Sequence, residues 1–150
     1  MIKIRLAKIE DSKDIFKWRN DFHTRKMFHS SKIVEWNEHK KWFEKNLMNR
    51  KVSLLICTNM KEEKVGVIRF DVSDNVAEVS INLNPTMRGK AKASECLKKS
   101  INFVKRYSPN LKVINAEIKD INLASKKTFE KVGFVFQFEN KGIRHYKMFF

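Results

Sequence analysis

Long apolar runs are missing from this sequence. No stretch approaches the ~20 residues that a membrane-spanning helix needs, so no membrane partner is expected. Cysteine is scarce as well, with Cys57 and Cys96 the full complement. Two cysteines exclude a disulfide framework and a cysteine-rich zinc site, and no metal-ligand set stands out. Cys57 lies in an apolar run and Cys96 in a helical pattern, which suits two buried free thiols and leaves a single disulfide as the alternative. Acid is short: 17 Asp and Glu stand against 32 Lys and Arg, a net charge of +15. The basic residues gather in no single arm or helix, which speaks against nucleic acid as the main partner. A site for polyphosphate ligands, drawing on a positive field, accounts for the charge equally well, and so does genome composition. The opening Met1-Ile2-Lys3-Ile4-Arg5-Leu6 alternates apolar and basic residues. That is unlike the apolar stretch of a signal peptide, and cytoplasm is the expected location. There is no repeat, linker or low-complexity tract, and 150 residues fit one domain, 1–150.

What is present is a clear change of period along the chain. Ile2, Ile4 and Leu6 mark a half-buried first strand. Asp11-Ser12 then offers an N-cap, with Asp14 in the first turn of a helix carrying Ile15, Trp18 and Phe22. His23 to Ser31 reads as a loop or short helix. A second helix runs from about Glu35 to Asn49, with Trp36, Phe43 and Leu47 on one stripe. Val52–Thr58, Val65–Ser73 and Val76–Asn84 then read as three strands joined by polar turns. A helix from about Ala91 to Tyr107, a strand from Leu111 to Ile118 and a helix from Asn122 to Val132 follow. Gly133 is placed as a left-handed cap. A hairpin across Asn140-Lys141-Gly142 closes the chain. The order β-α-α-β-β-β-α-β-α-β-β implies an α/β mixed sheet with helices on both faces.

Two segments carry chemistry. In Asn84-Pro85-Thr86-Met87-Arg88-Gly89-Lys90-Ala91-Lys92-Ala93, small residues fill the turn between a strand and a helix. Such a turn presents free backbone N–H groups at the positive end of a helix dipole, a ready anion site. About thirty residues on comes Asn122-Leu123-Ala124-Ser125-Lys126-Lys127-Thr128-Phe129-Glu130-Lys131-Val132-Gly133-Phe134. Together the two segments resemble the CoA-binding motifs of the GNAT acetyltransferases, an Arg/Gln-x-x-Gly-x-Gly/Ala loop and an Asn-x-x-(Ala/Ser)-x-x-x-Tyr-Glu-Lys-x-Gly-Phe helix. The element order is similar along the whole chain. The resemblance implies the GNAT fold and acetyl-CoA as donor, with transfer to an amine. Residues 88 to 93 (Arg88, Gly89, Lys90, Ala91, Lys92, Ala93) would cradle the pyrophosphate. The main chain of Ile81, Asn82 and Leu83 would pair with pantetheine and offer an oxyanion donor. Asn122 and Ser125 would face the cofactor. Two positions depart from the pattern. Ala91 replaces a usual glycine, and Phe129 stands where a tyrosine acid is usual. A thiol of pKa ~8.5 is a tolerable leaving group without that acid; Tyr146 and Tyr107 are the replacements to look for.

The N-terminal third bears on the acceptor. Trp18-Arg19-Asn20, Arg25-Lys26-Met27-Phe28 and His39-Lys40-Lys41-Trp42-Phe43 resemble the nucleotide-aminosugar N-acetyltransferases of the pseudaminic-acid pathway. That resemblance implies the 4-amino group of a UDP-linked 4-amino-4,6-dideoxy sugar as acceptor, with Trp18, Arg19, Asn20 and Arg25 as its contacts. The tryptophans suit core positions as well as ligand contacts. Asn82 stands where an aromatic is usual in that branch. Glu78, at the start of the fourth strand, is the candidate base, followed by His39. A homodimer is compatible with this reading. Rival readings are a protein or ribosomal-protein N-terminal acetyltransferase, an antibiotic-acetylating enzyme and a basic nucleic-acid binder.

Overall fold

The computed structural model describes residues 1–89 and 91–150. Its strands are β1 (Lys3–Leu6), β2 (Val52–Thr58), β3 (Lys64–Ser73), β4 (Val76–Leu83), β5 (Val113–Lys119), β6 (Val135–Asn140) and β7 (Ile143–Phe149). The α-helices are α1 (Ser12–Arg19), α2 (Phe22–Met27), α3 (Trp36–Met48), α4 (Ala93–Tyr107) and α5 (Leu123–Val132). The strands form one mixed sheet in the order β1-β2-β3-β4-β5-β7-β6, antiparallel except between β4 and β5. This is the mixed α/β architecture that the period changes imply.

Strand β2 shows why both faces must be covered. Leu54, Leu55, Ile56 and Cys57 are all buried, although successive side chains on a strand point to opposite faces. Leu54 and Ile56 pack with Ile15, Trp18 and Phe43 of α1 and α3. Leu55 and Cys57 join Leu97, Ile101 and Val104 of α4. Cys57 and Cys96 are both buried and free, and the hydrogen bond with Cys96, together with burial, pushes the Cys57 thiol well above its ordinary range.

Three expectations need correction. There are three helices, not two, between β1 and β2: α2 has its own N-cap, Asp21, whose carboxylate accepts from the Thr24 amide at 3.1 Å. This helix bears out the second alternative for the stretch that reads as a loop or short helix, and it begins one residue before that stretch. The Asp11 side chain does not cap α1. It is buried, accepts from the Lys8 amide at 2.7 Å and pairs with Arg5 and Lys64. Burial alone would raise its pKa, but the hydrogen bonds from Arg5, Lys64 and Lys8 outweigh that and hold the carboxyl well below the usual range. Finally, α4 begins at Ala93, leaving Ala91 outside the helix.

Candidate active site

The site follows from where β4 and β5 stop pairing. Their register covers Val76–Val113, Ala77–Ile114 and Glu78–Asn115 and then ends. Beyond Glu78 the two strands diverge, so the β5-facing edge of Val79 to Leu83 has no strand beside it. Backbone polar groups on such an edge need other partners, and an extended amide chain is a natural one. The cleft that opens there measures about 790 Å³, within the range that holds a sizeable ligand. Ile81, Asn82 and Leu83 line it on one side, Glu117 and Ile118 on the other, and Phe129 at α5.

Gly66 helps to set the edge. A Cβ at that position would lie 2.9 Å from the Asn82 carbonyl oxygen and 3.2 Å from Leu83 Cα. Glycine therefore lets β3 press closely on the part of β4 that borders the cleft. Past β4, Asn84 Oδ1 accepts from the Thr86 amide at 3.2 Å and its Nδ2 donates to the Lys64 carbonyl at 2.9 Å. With Pro85 at the first position this fixes a 3-10 turn over Pro85–Met87.

The loop that follows has the geometry of an anion cradle. Gly89 has φ +74° and Ala91 φ +55°, so two left-handed residues flank Lys90, which lies outside the described residues. A Cβ added at Gly89 would meet nothing within 4 Å, so that side of the loop is open. The N-cap of α4, Lys92, makes no side-chain cap. The first amides of a 15-residue helix are thus left for another acceptor. Gly89, Ala91, Lys92 and Ala93 all line the cleft. These features fit a pyrophosphate held by backbone amides. Arg88 lines the cleft too, but its guanidinium turns back to Asp21 and donates to Thr24 Oγ1 at 2.6 Å. The side chain therefore clamps the loop to α2. Burial would raise the Asp21 carboxyl, but Arg88 and Thr24 hold it below its usual range.

The other expected contacts divide. Asn122 and Ser125 line the cleft; Asn122 Oδ1 caps α5 by accepting from the Ser125 amide at 3.1 Å. Phe129 also reaches it and packs edge-to-face on Phe134, with ring centroids 5.0 Å apart. Arg19 and Arg25 line the acceptor side. Arg19 stacks 4.7 Å above Trp42, and burial lowers its pKa, with Arg69 adding repulsion. Arg25 donates to the carbonyls of Asn20 and Ser31 at 3.2 Å each, bracing the loop above the cleft.

Four positions fall outside the cleft lining. Trp18 is buried between α1 and α3 and is a core residue. Asn20 grips the Val34 backbone from both ends, at 2.9 Å and 2.8 Å, and so positions the loop. Glu78 is exposed and sits at the last paired position, before the strands part. His39 is fully buried against Phe16, Trp36, Trp42 and Phe43. Its Nε2 lies 3.0 Å from the Ser12 carbonyl, which can only accept, so Nε2 carries the proton. Burial lowers its pKa against that hydrogen bond, while nearby Arg19 lowers it further. Neither Glu78 nor His39 is placed to act as a base. The missing acid is not replaced either. Tyr146 is buried and donates to Glu130 at 3.2 Å, Tyr107 is exposed near the end of α4, and no tyrosine lines the cleft among the described residues.

Sequence reasoning passed over Glu117 and His29, both of which line the cleft. The alternation Ile114, Ala116, Ile118 on β5 places Glu117 on the opposite, outward face. That signal was available, but nothing local shows that β4 and β5 part beside it.

A sheet split between its parallel strands, with an amide-lined loop at the mouth of the split, is the frame of an enzyme that binds an acyl-CoA along a strand edge. A family described as the acetyltransferase (GNAT) domain matches residues 2–135. The chain belongs to the GNAT acetyltransferase family and is an acetyl-CoA-dependent N-acetyltransferase. Among solved structures it is similar to a spermidine N-acetyltransferase from Vibrio cholerae in complex with CoA and spermine. That match has TM-score 0.86 and 15% identity and covers 99% of this chain and 95% of the other. An aminoglycoside acetyltransferase in complex with coenzyme A matches at TM-score 0.84 and 15% identity, covering 99% and 95%. A domain from Methanocaldococcus jannaschii matches at TM-score 0.84 and 21% identity, covering 100% and 99%. At these identities the likeness is one of fold. No curated protein matches the chain.

Proposed function

We propose that the acceptor is an amine that also carries negative charge, and that a UDP-linked 4-amino-4,6-dideoxy sugar is its substrate. The observation that supports this is the charge of the acceptor half of the cleft. Arg19, His23, Arg25, His29 and Lys32 line it, against Glu38 and Glu117 as the acids. A polycation such as spermine or kanamycin, the ligands of two similar structures, would meet like charge there, in a molecule of net charge +15. A diphosphate would be drawn in by the same field, and Arg19 can bind it through paired hydrogen bonds. Asn82 in place of an aromatic leaves the sugar itself open to variation.

The reaction is direct transfer from acetyl-CoA, which supplies the activated acetyl group. Gly89, Ala91 and the start of α4 hold the pyrophosphate. The free edge at Ile81 to Leu83 aligns the pantetheine arm, and one of its amides stabilises charge on the carbonyl oxygen. Phe129 closes the floor against water.

A thermal-shift screen tests the acceptor class. With acetyl-CoA present, the UDP-aminosugar should raise the melting temperature further, because a ligand at 100 times its Kd adds about 2.7 kcal/mol of stability. Spermidine and kanamycin should give no added shift. A shift from the polyamine and none from the nucleotide-sugar overturns the proposal.

A further inference from the structure

Glu117 has surroundings unlike those of any other acid in the cleft. Its Oε2 lies 3.3 Å from His29 Nε2 and its Oε1 lies 3.6 Å from His145 Nδ1. His145 is its cross-strand partner on β7, and the ring of His145 lies flat on Phe138, 4.2 Å between centroids and 11° from parallel. His29 comes from the loop after α2 and lines the cleft, with its side chain largely exposed. The last β4–β5 pair is Glu78 with Asn115. Two residues further along each strand stand Ser80 and Glu117, on the same face of the sheet, one on each side of the opening. Glu117 is thus the first carboxylate past the point where the strands part, beside the edge that receives the acetyl group.

We propose that Glu117 is the group that takes the proton from the acceptor amine, that His145 positions its carboxylate, and that His29 returns the proton to solvent. The proposal rests on the cleft being the acetyl-transfer site and does not depend on which amine enters it. The acceptor arrives as an ammonium ion and gives one proton to Glu117. The freed nitrogen lone pair forms the C–N bond, and the C–S bond breaks with its electron pair going to sulfur. The second nitrogen proton leaves with the thiolate, giving the amide and the CoA thiol. Glu117 then passes its proton to His29 and is restored. The other charged groups around Glu117 are Lys119 on its own strand, Lys147 on β7, Glu78 on β4 and Lys26 of α2. The Lys26 carbonyl accepts from Lys119 Nζ at 3.0 Å. Lys147 is held by the Asn115 side chain at 2.8 Å.

The test combines Glu117→Gln with readouts that separate a proton acceptor from a structural residue. Calorimetry should give the same acetyl-CoA affinity as wild type, within about twofold. A wild type that binds no acetyl-CoA would defeat the reading of the cleft; an unchanged variant affinity leaves the next measurement to judge Glu117. Turnover is measured with whichever of a UDP-4-amino sugar, spermidine or kanamycin the wild type acetylates. The Gln variant should lose ~10²-fold or more in kcat at neutral pH, with its rate climbing steadily as rising pH frees the amine unaided. Glu117→Asp should recover part of the loss, and His29→Gln should lose about tenfold. A Gln variant within twofold of wild type at neutral pH, or one whose rate does not climb as pH rises, would overturn the proposal.

Discussion

Ala91 and Phe129 are where this chain departs from the motif pattern it resembles, and each departure has a measurable cost. Ala91 sits at φ +55°, where a Cβ costs on the order of 1 kcal/mol. Ala91→Gly should leave acetyl-CoA affinity unchanged and alter stability by less than about 1 kcal/mol. Ala91→Glu should abolish binding in calorimetry, since it sets a negative charge against the pyrophosphate. Phe129→Tyr, in turn, restores an acid at the cleft floor. The expected outcome is an intact fold and a raised kcat, by up to the ~10²–10⁴-fold of a placed acid where protonation limits. A large loss of rate would mean that the packing against Phe134 leaves no room for a hydroxyl. His39 carries a prediction about stability. Its folded pKa is lowered by burial, so the unfolded chain binds more protons between that value and about 6.5. Stability is therefore complete above pH ~6.5 and falls as pH drops through the window below it. Melting temperatures from pH 7 to pH 5 should show this slope, and His39→Phe should flatten it. His39 looked like a site residue in sequence because a polar ring among aromatics has no outward sign of direction. Only the packing of α3 on α1 and β2 turns it inward.

At the scale of elements, the strands, α4, α5 and the Gly133 cap were legible because each has a long period or a specific end signal. Gly133 does adopt the left-handed conformation, φ +117°, that closes α5. The short α2 was legible only as a loop or short helix, though Asp21 followed by Thr24 three residues on is a capping signal that could have decided between them. The CoA loop was readable because its function is carried by backbone amides and small side chains adjacent in sequence. Arg19 and Arg25 of the acceptor wall were legible too, but the brace on Asn20 was not, because Asn20, Arg25 and Val34 meet only when the loop folds back across α2. Gly66, on a third strand, lets β3 approach the Asn82 end of the free β4 edge closely. Gly66→Ala should displace the Asn82 end of β4 by a few tenths of an ångström. The expected results are a loss of ~1–3 kcal/mol in stability, as for overpacked positions, and weaker acetyl-CoA binding. Denaturant melts and calorimetry would check both. Unchanged CoA affinity would show that the edge does not depend on that close approach.

For the whole molecule, fold and family rest on features that run from residue 2 to residue 135, whereas the choice of amine rests on the charge of one wall of one cleft. The structures it resembles include proteins crystallised with spermine and with kanamycin, so architecture alone does not set the acceptor. The account predicts that the wall does, through its excess of cationic groups over Glu38 and Glu117. The direct measurement is release of free CoA from acetyl-CoA with one acceptor at a time. A UDP-4-amino-4,6-dideoxy sugar is set against spermidine, kanamycin and a peptide bearing a free N-terminus, at low and at high salt. The account predicts turnover with the nucleotide-sugar, a KM for it that rises with salt while the KM for acetyl-CoA moves less, and background rates with the three others. Turnover with spermidine, kanamycin or the peptide while the nucleotide-sugar is left untouched would contradict it.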